Sequence, residues 1–353
     1  MNQEQTMNRN GMYIRTDPPQ EPIPMAVRAS NLTKRYPRFT LDDITFDIPQ
    51  GYITGLIGPN GAGKSTIIKL LLNMVHRDSG DLEILGKDAV ADEEAIKQQL
   101  GVVFDSNVLY PQWRVKDAEY AIGRLYDNWN HTLFEEYADR FNLDRTKRIK
   151  QLSRGMQIKL HLALALSHDA KLLILDEPTS GLDVIARDEL MNIFRDYVSD
   201  GEHTVLFSTH ITSDLEHTAD FIVYVTHGQL FYTGPKDEFE DSFTLVQGGP
   251  ADLGPQVRRE AVGLDLHSTG FYAMLRIQDA HAMKIMDDPS LIVEKPSIED
   301  ILRFTNLKRP PVTTGSGTSD IPGISGVAGG SSVSNISTAS ASVSEGNSQG
   351  GLR

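Results

Sequence analysis

A chain of 353 residues with 39% hydrophobic and 23% charged residues has ordinary globular composition, enough for one large or two modest domains. Its formal net charge of −14 argues against a non-specific nucleic-acid binder and against an electrostatic grip on an anionic leaflet, both of which need a basic face. The lack of Cys removes disulfides and thiolate chemistry and fits a reducing cytoplasm.

No run approaches the ~18 apolar residues of a spanning helix, and no basic-then-apolar segment opens the chain. The expectation is a soluble protein that is not exported and that meets a membrane only through another protein. Residues 1–24 are polar and end in PPQEPIP, a composition for unpacked, disordered backbone. From residue 25 to about 240, short apolar runs (ITGLIG, GVVF, LLILD, TVLFSTH, FIVYV) alternate with helix-length segments. That alternation predicts an α/β fold with a largely parallel sheet.

The first motif is GPNGAGKST, residues 58–66, which satisfies the P-loop pattern G-x-x-x-x-G-K-S/T. A strand (YITGLIG) precedes it and a buried helix (TIIKLLLNMV) follows it. Its residues Gly58, Pro59, Asn60, Gly61, Ala62, Gly63, Lys64, Ser65 and Thr66 are therefore the candidate phosphate cradle. Glycines turn the chain so that backbone N–H groups face phosphate oxygens at a helix N-terminus. Lys64 is expected to reach the β and γ phosphates, and Ser65 to ligate Mg²⁺.

Further along, residues 106–165 carry Tyr110, Trp113, Tyr120, Tyr126, Trp129, Phe134, Tyr137 and Phe141, read chiefly as the core of a helical subdomain. Then comes QLSRGMQ, residues 151–157, ahead of an apolar helix. Ser153 is either an ordinary helix N-cap or, with the Gly155 amide and the helix dipole, half of a nucleotide site, and the rest of the chain has to decide. Next, KLLILDEPTSGLD places Asp176 and Glu177 at the C-terminal end of a fully apolar strand, where open α/β sheets bind ligands. Two adjacent acids there fit Mg-nucleotide hydrolysis, Asp176 holding the metal through water and Glu177 orienting and deprotonating the attacking water. The strand HTVLFSTH ends in His210. His203, His217, His227, His267 and His281 lack metal-like spacing, so no zinc site is expected. In residues 241–309, GFYAMLRI reads as a strand and PSIEDILRFT as a short helix with acidic N-terminus, an accessory region. Residues 310–353, rich in Gly, Ser and Thr, read as a disordered tail.

Taken in order and spacing from about residue 27 to about 240, these motifs resemble the nucleotide-binding subunit of an ABC transporter, and QLSRGMQ is similar to that family's LSGGQ signature. The resemblance implies a P-loop NTPase of ABC ATPase type, with an antiparallel β region, a helical subdomain and a small C-terminal extension. It implies ATP and Mg²⁺ as ligands, and a homodimer, or a heterodimer with a related subunit, in which each signature loop caps the other chain's nucleotide. It further implies that Tyr36 stacks on adenine and that His210 contacts the γ-phosphate. Separate permease chains would dock near residues 110–113, with the ATPase peripheral to the inner face of the cell membrane and no nucleic-acid partner. The export type is the nearer likeness. A soluble regulatory or translation-associated ATPase is the alternative, disfavoured by the single P-loop, and a non-hydrolysing module is disfavoured by Glu177. The sequence departs from the family at Arg154, at Met156, and at Asp105, which stands where the family has a Gln. Asp105 is expected to contact metal and water, with Gln112 as the nearby substitute.

Overall fold

The computed structural model describes residues 6–7, 13–14, 23–106 and 108–307. Of the segment 1–24, it describes only the two-residue strands β1 (Thr6–Met7) and β2 (Tyr13–Ile14), paired antiparallel, and residues 23–24. The rest of that segment and the whole 310–353 tail lie outside the described residues.

Two sheets build the nucleotide half. The first is four-stranded, in the order β4-β3-β6-β7: β3 (Met25–Tyr36), β4 (Phe39–Pro49), β6 (Ser79–Ile84) and β7 (Lys87–Asp88), all antiparallel. Much of β4 alternates buried with exposed positions, as a half-solvated sheet requires. The second sheet is six-stranded, in the order β12-β11-β5-β10-β9-β8. Its members are β5 (Ile53–Ile57), β8 (Leu100–Val103), β9 (Leu172–Leu175), β10 (Thr204–Thr209), β11 (Phe221–Thr226) and β12 (Gln229–Pro235). Only β12 runs antiparallel to its neighbour. Every residue of β5, β9 and β10 is buried, because both faces are covered.

The two faces serve different cores. Leu56, Leu172, Ile174, Leu206 and Val223 point into one with α1 (Lys64–Leu71), α2 (Glu93–Lys97) and the antiparallel sheet. Ile53, Leu173, Leu175, Val205 and Phe207 alternate into the other, shared with the helices α3 (Val115–Gly123), α4 (His131–Arg140), α5 (Arg154–Leu166), α6 (Val184–Val198) and α7 (Thr212–Thr218). Parallel register sets β5, β10 and β9 side by side, so the segments that follow their C-terminal ends meet.

Residues 106–165 hold α3, α4 and all but the last residue of α5. Phe134 and Phe141 are buried, Trp113, Trp129 and Tyr137 pack against them partly exposed, and Tyr126 stacks on His168. Tyr120 is not core: it is exposed on α3 and accepts a 2.8 Å hydrogen bond from Arg124 one turn later. Tyr110 is also exposed, at the surface edge expected for it.

Beyond α8 (Lys236–Asp241), a third sheet has the order β14-β15-β13-β16, made from β13 (Phe243–Gly248), β14 (Gly263–His267), β15 (Gly270–Arg276) and β16 (Ile292–Glu294), with α9 (Pro255–Glu260) and α10 (Ile277–Ala282). It has a small core of its own around Val246, Phe271 and Leu275. The closing helix α11 (Ile298–Asn306) starts with a capping box at Ser297 and Asp300, as its acidic first turn predicted. It drives Ile298, Ile301 and Phe304 into the main core, and Thr305 meets the Tyr224 hydroxyl at 2.5 Å. Residues 241–307 thus belong to the same compact unit as the part before them.

Candidate active site

The P-loop follows β5 as the sequence required. Gly58 has φ 149° and lies against β11: a Cβ there would sit 2.1 Å from the Val225 carbonyl. Gly63 has φ 120°, and a Cβ would meet Leu41 and Phe39 at 2.9 and 3.1 Å. Gly63 is also the N-cap of α1 and offers no side chain to the first helical turn, whose N–H groups are left for an anion. Phe39, which presses on this loop, faces the ring of Tyr36 at 6.5 Å, and Tyr36 itself is exposed at the end of β3. A ring lying open beside a phosphate cradle suits base stacking better than the core role usual for Tyr.

Lys64 is buried, its ammonium donating to the Gly58 carbonyl at 2.8 Å and lying 3.5 Å from Glu177 Oε1. Glu177 Oε2 is 2.6 Å from His210 Nδ1. Asp176 Oδ1 accepts from the Ser208 hydroxyl at 2.7 Å and from the Ser65 hydroxyl at 3.5 Å. The same Ser208 oxygen takes the Glu177 amide at 2.9 Å. Residues from the ends of three adjacent strands thereby form one linked cluster: Lys64 and Ser65 after β5, Asp176 and Glu177 after β9, and His210 after β10. Glu177 has φ 49°, unusual for a side chain of that size and costing about 1 kcal/mol or more. Neither acid caps the next helix; Asp183 does, accepting from the Ala186 amide at 2.8 Å.

Two residues were missed in the sequence. Ser208 lies inside a fully buried strand and shows no pattern of its own. Asp214, on α7, is 2% exposed and accepts from Thr179 at 2.7 Å and Thr209 at 3.4 Å, with Arg187 at 3.6 Å. Burial pushes the Asp214 carboxyl up despite those donors. It fixes the turn after Glu177 to the strand end that carries His210.

Across from this cluster, Ser153 caps α5, accepting from the Met156 amide at 3.3 Å, and Gly155 packs near Leu182. Arg154 donates through Nε to the Ser180 carbonyl at 2.6 Å and through Nη2 to Asp105. Among the described residues, none of the hydrogen-bond or ion-pair partners of residues 153–157 lies in the P-loop. The carboxylate of Asp105, expected to contact metal and water, is paired here with the Arg154 guanidinium. Gln112 accepts from Arg148 at 3.3 Å. Among the described residues no group of three or more His and acids is arranged to hold a metal. The Ser65 hydroxyl beside Asp176 supplies hard oxygen donors of the kind Mg²⁺ accepts with water and phosphate.

A nucleotide cradle after the first strand of a parallel sheet, with paired acids on a neighbouring strand, defines a P-loop nucleotide hydrolase. The pattern of the ABC transporter family matches residues 41–180. The chain is 34% identical over 218 residues to the lantibiotic transport ATP-binding protein SrtF of Streptococcus pyogenes, covering 61% of this chain and 93% of that one. It is 30% identical over 302 residues to the Nod factor export ATP-binding protein I of Sinorhizobium fredii, covering 80% of this chain and 86% of that one. A solved ATP-binding subunit of an ABC transporter superimposes with TM-score 0.56 at 26% identity, covering 61% of this chain and 92% of that chain. The chain belongs to the ABC transporter family, as an ATP-binding and ATP-hydrolysing subunit.

Proposed function

We propose that this subunit powers an exporter by closing as a dimer around two Mg-ATP molecules, each held by one chain's P-loop and capped by the other chain's Ser153 and Gly155. The observation that carries the reading is the split of the site. Lys64, Glu177 and His210 form one connected group, while the N-terminus of α5 bonds elsewhere in its own chain. One chain therefore offers two half-sites, and a twofold pair completes both. In the closed pair Lys64 binds the β and γ phosphates, Tyr36 stacks on the base, and Ser65 and Asp176 hold the metal. Glu177 takes the proton of the attacking water, and His210, against its carboxylate, orients it toward the γ-phosphate. Held by Ser65 and Asp176, Mg²⁺ would supply the positive charge that neutralises the phosphates. Among the described residues no helix is long and apolar enough to cross a membrane; on this reading separate permease chains carry the substrate across. Their docking edge is Tyr110 to Trp113, where exposed Tyr110 packs edge-on against Trp113 at 6.2 Å. The export named for the Sinorhizobium fredii relative supports that direction of transport, and on this reading the subunit works from the cytoplasmic face of the membrane.

Mixing separates this arrangement from a site complete within one chain. Lys64→Ala and Ser153→Arg should each abolish ATPase activity alone. Combined in equal amounts, random pairing makes half the dimers mixed, each with one intact site, so activity should return to about a quarter of wild type. No recovery on mixing would place both halves in one chain.

A further inference from the structure

Two of the three positions where this sequence leaves the family pattern, 49 residues apart, are bonded to each other: Arg154 Nη2 donates to Asp105 Oδ1. We propose that Asp105 and Arg154 act as a single positioning unit that sets Glu177 for hydrolysis, a role resting on the assignment of Glu177 above. Arg154 directs two of its donors to two different segments, one to Asp105 in the loop after β8 and one, at 2.6 Å, to the Ser180 carbonyl in the turn after Glu177. A planar guanidinium holds both in fixed relative geometry, which a Lys or a Gly could not. Its stem lies over Gly181, where an added Cβ would come within 3.2 Å of Arg154 Cδ and Nε, so the turn has a bare residue where the arginine crosses it. Ser180 in turn donates its amide to the Glu177 carbonyl at 3.1 Å. From the other side, the Asp176 amide donates to the Val103 carbonyl at 2.9 Å, two residues before Asp105. Asp105 is thus joined to the reactive acids by two routes, along its own loop through Val103 and across space through Arg154 and Ser180. The two side chains are 41% and 54% exposed for Arg154 and Asp105, so their pairing adds little to global stability; its effect lies in orientation. Asp105 is a partner of Arg154 on this reading, not a ligand of the metal.

The test is a double-mutant cycle on the full-length chain with Asp105→Asn, Arg154→Gln and both together, measured as steady-state ATPase activity and by thermal melting. Each single change should lower kcat by about threefold to tenfold with KM within about twofold, and the double should be no worse than either single, because one unit is lost only once. Melting temperatures and the Mg²⁺ concentration for half-maximal rate should stay at the wild-type value. Multiplying losses, or wild-type kcat in either single variant, would overturn the proposal. So would a raised Mg²⁺ requirement in Asp105→Asn, which would return Asp105 to the metal. Glu177→Gln assayed beside them separates the two levels: if it turns over normally, the assignment of Glu177 fails, whatever the cycle shows.

Discussion

Glu177→Gln is expected to bind ATP nearly as well as wild type and to turn it over at least about a hundredfold more slowly, the loss typical of removing a positioned general base. The geometry explains why the two effects separate. Nucleotide retention depends on the P-loop amides and on Lys64, whose ammonium keeps its 2.8 Å bond to the Gly58 carbonyl whatever stands at position 177. Proton acceptance depends on a carboxylate, and Glu177 is held in position by Lys64 at 3.5 Å and His210 at 2.6 Å. An amide fills the same space and can still accept a hydrogen bond from the water, but it has no basic oxygen to take a proton. Single-turnover hydrolysis and nucleotide retention on a sizing column measure both halves. The stalled variant should elute as a dimer with ATP, because closure persists where hydrolysis does not. Turnover within a few-fold of wild type would remove Glu177 from the role of base.

Legibility of the site in the sequence followed how local its chemistry is. The P-loop, Asp176 and Glu177, Ser153 and His210 are each written in a few consecutive residues at the end of an element. A strand ending in a Gly-rich turn or a pair of acids leaves little choice of geometry, and the parallel order β5-β10-β9 then brings the ends together. Ser208 and Asp214 were not legible because their partners come from other strands and turns: Asp176 is 32 residues from Ser208, and Thr179 is 35 from Asp214. The Asp105–Arg154 pair failed to show for the same reason. Each looked like a local irregularity, and only the approach of α5 to the loop after β8 turned two departures into one contact. Tyr120 was misread because an aromatic count cannot tell which face of α3 a residue takes. The cap of α11 could be read from PSIEDILRFT, but not that the helix would bury Phe304 in the main core.

Acidification is expected to destabilise the chain through His161, and His161→Leu should remove that part of the loss. His161 sits on α5 just beyond the signature turn, 7% exposed, with its Nε2 lacking a hydrogen-bond partner among the described residues. Burial disfavours the imidazolium and brings its pKa down from 6.5 to about 4. In the unfolded chain the same ring takes up a proton near its ordinary value. Between those two values the unfolded state therefore binds more protons than the folded one, so stability falls as pH falls from 6.5 toward about 4 and the effect is complete below that. The shift corresponds to about 3 kcal/mol across the window, a large share of the stability of an ordinary domain. Leu fills comparable space without a polar nitrogen, so the variant should be about 1 kcal/mol more stable at pH 7, where wild type buries an unpaired ring nitrogen. Its advantage should then widen as the pH is lowered through the window. His168, whose pKa burial also lowers, is present in both proteins, and its contribution cancels in the comparison. Urea unfolding of wild type and variant at intervals between pH 7 and pH 4 gives the difference directly. Parallel stability profiles would mean that the folded protein protonates His161 as readily as the unfolded chain does, by opening the start of α5 to water.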